Sequence, residues 1–252
     1  MSYLQAQNLS LQFGGLMAVN DVSFVIEKGE IFTIIGPNGA GKTSIFNLIS
    51  KFYRPTSGRL ILDGQDVTNV PAHRIAEFGV ARTFQNIELF ENATVLQNLL
   101  VGRHRLNRTS LWQELLFLPN VRESERAHRK RAEEVIEFLG LEAHRDKLIS
   151  GLAYGVRKIV EVARALCSEP RLILLDEPSS GLNAEETDDM SFWIRDIRKE
   201  LGVTVLMVEH DMSLVGKVSD RVLALNYGKV LTMGTSAEVQ SHPDVVAAYL
   251  GG

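Results

Sequence analysis

Ile31-Phe32-Thr33-Ile34-Ile35-Gly36-Pro37-Asn38-Gly39-Ala40-Gly41-Lys42-Thr43-Ser44 is the stretch that decides the fold of this chain. Its first five residues are an apolar run with the texture of a strand buried on both faces. Ile45, Leu48 and Ile49 fall at helical spacing between Ser44 and Lys51 and predict a helix immediately afterwards. Gly36 to Thr43, between the two, fits G-x-x-x-x-G-K-[ST] in full and in the strand–loop–helix context that its chemistry requires. Glycines let the backbone wrap closely enough for successive N–H groups to point at phosphate oxygens, and a helix N-terminus adds roughly half a positive charge. In such a loop Lys42 reaches the β- and γ-phosphates of a nucleotide, and Thr43 offers its hydroxyl to Mg2+.

Outward from this loop the pattern alternates strand and helix. Leu172-Ile173-Leu174-Leu175-Asp176-Glu177-Pro178 is a second buried strand, and it ends in two carboxylates where open α/β sheets gather their active-site residues. Asp176 is expected to hold Mg2+ through water, and Glu177 to orient and activate an attacking water. Val203 to Val208 is a third such strand, with a helix before it marked by Phe192, Ile194, Ile197 and Leu201. Short β-like runs stand at 9–13 and 22–26, a strand with an Asp-Gly turn at 58–64, and a hairpin around Asn226-Tyr227-Gly228. From about Thr94 to Leu148 strand signals vanish and charged helix-formers take over, which reads as a helical insert in an α/β domain with a parallel sheet.

Composition narrows the classes. The chain has 252 residues, 45% hydrophobic and 23% charged, which excludes collagen-like and disordered chains. No apolar run approaches the roughly 18–20 residues that span a bilayer, and the opening residues have neither the basic nor the apolar region of a secretion signal. The expectation is a cytoplasmic protein. A net charge of −4 argues against nucleic acid as the main partner, and the lone Cys167 forms no internal disulfide. Arg126-Ala127-His128-Arg129-Lys130-Arg131 is balanced by Glu123, Glu125, Glu133, Glu134 and Glu137 and is read as a solvated helix face; Arg103-His104-Arg105 with Arg108 is read the same way.

With the phosphate loop and the Asp-Glu strand end in place, nearly the whole chain resembles the ATP-binding cassette (ABC) family of ATPases. Gln85 in Arg82-Thr83-Phe84-Gln85 matches the family's Q-loop glutamine, and His210 in Val208-Glu209-His210-Asp211 its switch histidine. Ser179-Ser180-Gly181-Leu182-Asn183 matches the D-loop, and Phe13 falls where the family stacks an aromatic on adenine. A finer resemblance, through Phe13-Gly14-Gly15-Leu16-Met17-Ala18-Val19 and the tail from Asn226 to Gly251, is to the larger ATPase subunit of bacterial branched-chain amino acid importers. Relatives of the same type serve urea, amides and aromatic acids, and soluble ABC ATPases without a transport role form the alternative class.

The resemblance implies an α/β P-loop NTPase core with a mostly parallel sheet, an N-terminal antiparallel β subdomain and an inserted helical subdomain. The ATPase domain would span 3–236, the helical part about 92–165, and a helical tail 237–252. ATP and Mg2+ would be bound by Phe13, Gly36, Pro37, Asn38, Gly39, Ala40, Gly41, Lys42, Thr43, Ser44 and Gln85, with Thr43, Gln85 and Asp176 toward the metal and Glu177 and His210 catalytic. Ala153, Tyr154 and Gly155, standing where the family has its signature, would face the nucleotide of a second ATPase subunit. Membrane permease subunits would be direct partners, reached through the segment from Asn86 to Asn92 and the helical insert, and a solute-binding protein an indirect one, with the chain peripheral on the inner face of the cytoplasmic membrane. The sequence departs from the family at two places. Ala153 replaces the signature serine, a loss of a charged hydrogen bond worth about 1.5–3 kcal/mol, or roughly 10- to 150-fold. Asn183 replaces the more common D-loop aspartate. A heterodimer, in which this chain's phosphate loop faces a partner's signature, is one expectation that accommodates Ala153.

Overall fold

The computed structural model describes residues 2–83, 87–106 and 119–250. The chain divides into two compact units, Met1–Gln85 with Arg171–Gly252, and Asn86–Pro170.

The first unit is built on two sheets. β1 (Ser2–Phe13), β2 (Leu16–Glu27), β4 (Ser57–Leu62) and β5 (Gln65–Asp66) form an antiparallel sheet in the order β2-β1-β4-β5. The other strands are β3 (Ile31–Ile35), β6 (Val80–Arg82), β7 (Leu172–Asp176), β8 (Thr204–Val208), β9 (Arg221–Asn226) and β10 (Lys229–Gly234). They run in the order β10-β9-β3-β8-β7-β6, all parallel except β10. β3, β7 and β8 are buried at every position, which is why their sequences are apolar without alternation. In β2, by contrast, Val22, Phe24 and Ile26 are buried while Ser23, Val25 and Glu27 are exposed. β1 and β2 are far longer than the runs at 9–13 and 22–26 that periodicity picks out. Register shifts at Ala6/Leu9 and Leu9/Leu11, with Asn8 and Asp21 in left-handed backbone, break the period-2 pattern without breaking the hairpin. One apolar cluster, including Leu4, Phe24, Ile34, Phe46, Leu174 and Leu206, fuses the two sheets and the helix Lys42–Ile49. Each such side chain contributes roughly 1.5–3 kcal/mol on burial.

Helix Ala184–Leu201 packs in this unit and carries both of its punctuation marks in sequence. Asn183 is its N-cap: its side chain accepts from the Glu186 N–H at 3.0 Å, and Glu186 accepts from the Asn183 N–H at 3.0 Å. Asn and Asp cap equally well, so this departure leaves the helix start intact. Helices Met212–Val218, Ser236–Gln240 and Pro243–Leu250 complete the unit.

Lys51 is a buried cation in this unit, its Nζ donating to the Thr68 carbonyl at 3.2 Å. Burial pushes its ammonium down to about 8, against the pull of Asp66. Between that value and the unfolded value of about 10.4, the unfolded chain holds a proton that the folded chain lacks, so this group makes stability rise with pH across that window. Urea midpoints are expected to show the wild type gaining on Lys51→Met from about pH 7.5 to about pH 10. Parallel pH profiles for the two proteins would contradict this.

The second unit is helical, with helices Val95–Gly102, Pro119–Phe138 and Tyr154–Leu166. Thr94 and Gln97 form a capping box on the first. Asn98, fully buried, accepts from the Phe90 N–H at 2.8 Å and donates to the Phe90 and Thr94 carbonyls at 3.1 and 3.0 Å, which fastens the preceding loop. Burial pushes the Cys167 thiol up to about 12, so it packs as a small apolar side chain. Among the described residues no helix is long and apolar enough to cross a membrane.

Candidate functional site

β3 delivers the chain into the loop 36–41 with a backbone only glycine tolerates at two points. A Cβ on Gly36 (φ 151°) would stand 2.3 Å from the Leu225 carbonyl oxygen, and one on Gly41 (φ 101°) 2.5 Å from that of Ala18. The turn after β9 closes the loop from behind: the Gly228 N–H donates to Ala40 at 2.9 Å, and Asn20 to Gly228 at 2.8 Å. Helix Lys42–Ile49 starts from Gly41 with no side-chain cap, leaving its first N–H groups for an anion. Lys42, buried, donates through Nζ to the Gly36 and Pro37 carbonyls at 2.6 and 3.1 Å. Burial lowers its pKa, and Glu177 and Asp176 oppose that shift, so the two carboxylates favour its charged form.

A cavity of about 450 Å3 opens over this loop, lined by Asn38, Gly39, Ala40, Gly41, Lys42, Thr43 and Ser44, with Phe13 to one side and Glu177 to the other. Phe13 is 43% exposed and meets Tyr53 edge-on at 5.0 Å between ring centroids, so it is a surface aromatic and not a core residue. The last helix also lies close to the loop: burial raises the pKa of the Tyr249 phenol, and the Gly36 backbone opposes that shift.

Three neighbouring strand ends supply the remaining groups, since β8 stands between β3 and β7. Asp176 ends β7, with its carboxylate held by Arg82 at 2.8 Å. Arg82 also donates to Asn47 Oδ1 at 2.7 Å and Ser50 Oγ at 2.9 Å, so one guanidinium joins the strand end to helix Lys42–Ile49. Glu177 adopts a left-handed backbone (φ 49°) and donates its N–H to the Val208 carbonyl at 3.0 Å. That conformation is rare for a non-glycine residue and is held here by the flanking strand ends. His210 follows β8, exposed, its Nδ1 3.9 Å from Glu177 Oε2.

Glu209, between β8 and His210, is 0% exposed and escaped sequence reasoning as anything more than part of a motif. Its Oε1 accepts from the Ser179 N–H and hydroxyl at 2.9 and 2.6 Å, and its Oε2 from the His210 and Asp211 N–H groups at 2.7 and 3.0 Å. One buried carboxylate thus fastens the loop after β7 to the loop carrying His210. A charge placed immediately after a five-residue buried strand was the available signal. Arg82 was likewise quoted only as a neighbour of Gln85.

Of the other expected site residues, Gln85 lies outside the described residues. In the helical unit Ala153 is the N-cap of helix Tyr154–Leu166, a position where alanine cannot accept from the first turn. Tyr154 is exposed and Gly155 buried in that first turn.

A Gly-rich loop on a helix N-terminus, lining a cavity with a carboxylate that follows a parallel strand two places along the sheet, defines a P-loop NTPase of the α/β class. The sequence model of the ABC transporter family matches residues 19–180, and that of the branched-chain amino acid ATP-binding cassette transporters matches 229–252. The chain belongs to the ABC transporter family and is an ATP-binding cassette ATPase. It is 43% identical over 248 residues to the high-affinity branched-chain amino acid transport ATP-binding protein BraF of Pseudomonas aeruginosa, covering 98% of this chain and 97% of that one. It is 42% identical over the same length and shares to the corresponding protein LivG of Escherichia coli K12. A nucleotide-free ATP-binding cassette from an ABC transporter superposes with a TM-score of 0.87 at 30% identity over all of both chains.

Proposed function

We propose that this chain energises a membrane importer for branched-chain amino acids or related small polar solutes by hydrolysing ATP with Mg2+. The observation that carries the chemistry is the single cavity shared by Phe13, the loop 38–44 and Glu177; similarity to BraF and LivG over 98% of the chain supports the solute class. In this reading Phe13 stacks on adenine. Residues 36–44 cradle the phosphates, and Lys42 exchanges the Gly36 and Pro37 carbonyls for β- and γ-phosphate oxygens. The Thr43 hydroxyl and the Asp176 carboxylate are hard oxygen donors, the set that suits Mg2+ bound together with nucleotide phosphates, and Gln85 joins them. When bound, the metal neutralises charge on the transferring phosphoryl group. Glu177 accepts the proton of the attacking water, and His210 contacts the γ-phosphate.

Ala153, Tyr154 and Gly155 serve the nucleotide of a second cassette subunit through backbone N–H groups, without the serine hydroxyl. Residues 3–236 form the ATPase domain, with its helical part at about 92–165 and a tail at 237–252. Exposed Phe90 and Val101 flank a cavity of about 380 Å3 in the helical unit, which supports the segment around 86–92 as the place where the permease engages. The chain then sits peripherally on the inner face of the cytoplasmic membrane, with a solute-binding protein as an indirect partner.

The test is ATP hydrolysis by the purified chain, alone and with its co-expressed membrane subunits. Turnover that rises on assembly with a polytopic permease is expected. Strong turnover by the isolated chain with no permease co-purifying would overturn the importer reading.

A further inference from the structure

Parts of two basic stretches read from the sequence as solvated faces come together in the helical unit, Arg108 lying outside the described residues. A cavity of about 550 Å3 has Arg122, Arg126 and Arg129 on one wall and Arg103 and His104 on the other. The three arginines of the first wall follow an i, i+4, i+7 stripe on helix Pro119–Phe138, so one face of that helix presents them together. Like charges at this spacing repel, and among the described residues the helix gives an acidic partner to only one of the three, Arg129. Glu133 is taken by Arg145 at 2.8 Å and Glu134 by Arg131 at 2.9 Å. Arg122 and Arg126 have no acidic partner among the described residues, and Arg129 stands 3.8 Å from Glu133. Among the described residues Glu125 is the one acidic side chain lining the cavity.

The opposite wall is built and not merely exposed. The Arg103 side chain is only 8% exposed. It donates Nε to His128 Nδ1 at 2.9 Å and Nη1 to the Cys167 carbonyl at 2.8 Å and Glu169 at 3.0 Å, which fixes its guanidinium in place. Because His128 accepts at Nδ1, its ring is neutral and adds no charge, its one N–H at Nε2 lying 3.2 Å from Ser124 Oγ, and burial with the Arg103 charge lowers its pKa.

We propose that this cavity binds one small phosphate-bearing anion, at a site that shares no residue with the nucleotide cavity. Guanidinium forks match phosphate oxygens in a two-pronged way that lysine cannot, and among the described residues lining the cavity there are four arginines and no lysine. A volume of about 550 Å3 suits a small molecule rather than a macromolecular strand. The phosphate is carried either by a soluble phosphate ester or by an acidic lipid headgroup.

Pyrophosphate titrated calorimetrically into the chain saturated with ADP and Mg2+ is expected to bind once. Arg122→Gln with Arg126→Gln, both exposed and so compatible with an unchanged thermal melt, is expected to weaken that binding by about tenfold or more. Lys130→Gln, on the same helix but outside the cavity, is expected to leave it unchanged. If ADP itself fills the site, two ADP per chain falling to one in the double variant counts equally. Co-sedimentation with phosphatidylglycerol vesicles, but not phosphatidylcholine vesicles, that is lost in the double variant and competed by pyrophosphate assigns the phosphate to a lipid; pyrophosphate binding without vesicle binding assigns it to a soluble ester. Binding of neither probe, binding that survives the double variant, or equal loss in Lys130→Gln overturns the site.

Discussion

Glu177→Gln is expected to lower ATP turnover by roughly 100- to 10,000-fold while ATP binding is retained. Glutamine matches glutamate in shape, so the left-handed backbone at 177 and its N–H bond to Val208 are preserved. What disappears is the carboxylate proposed to take a proton from water. Glu177 lines the cavity over the phosphate loop, whereas the nucleotide-holding groups proposed here are Phe13 and the residues of the loop itself. Binding and turnover therefore separate in this variant. Phosphate release, measured in the assembled complex, gives the turnover, and equilibrium binding of a fluorescent ATP analogue gives the affinity. Wild-type turnover would remove Glu177 as the base. Loss of both quantities together would make it a binding residue.

Replacing Glu209 with alanine is expected to destabilise the first unit by about 3–5 kcal/mol, since a buried donor left without its acceptor costs about 1–3 kcal/mol. The carboxylate is fully buried, and its removal leaves four donors, on Ser179, His210 and Asp211, without their acceptor. A loss of that size is a large share of the 5–15 kcal/mol that holds a typical domain folded. Glu209→Gln keeps the volume and one acceptor oxygen, so its urea midpoint is expected between those of the wild type and the alanine variant. Equal midpoints for all three proteins would show that the four hydrogen bonds carry no net stability. In the folded fraction of the glutamine variant, ATP turnover is expected to fall more than ATP affinity, because Glu209 anchors the backbone of His210 and not the phosphate loop.

The two halves of the site differed in how far they could be read from sequence. The phosphate loop was legible because every element of it is local: glycines that accept positive φ, an uncapped helix start and the lysine lie within one short segment after one apolar strand. Asp176 and Glu177 were legible because their apolar run ending in carboxylates shares the chain with a complete phosphate loop. Arg82 was not, because its partners Asn47, Ser50 and Asp176 are up to 94 residues away and depend on strand order. The length of the β1–β2 hairpin was hidden for another reason, since bulged register interrupts the period-2 alternation by which strands are recognised.

Asn183 and Ala153 show the same division on a smaller scale. From sequence both are departures from a family pattern. In the structure both are helix N-caps, one with its capping box complete and the other without a side-chain acceptor. The sequence by itself determined the α/β class and the phosphate loop, because those rest on backbone chemistry and hydrophobic period, which neighbouring residues dictate, and it pointed to the family through the resemblance of its motifs. Only the tertiary structure decided that Glu209 clasps two loops, that Phe13 is a surface aromatic beside the nucleotide cavity, and that Arg103 faces a stripe of arginines on another helix. Burial and charge pairing depend on which distant segments the packed core brings side by side.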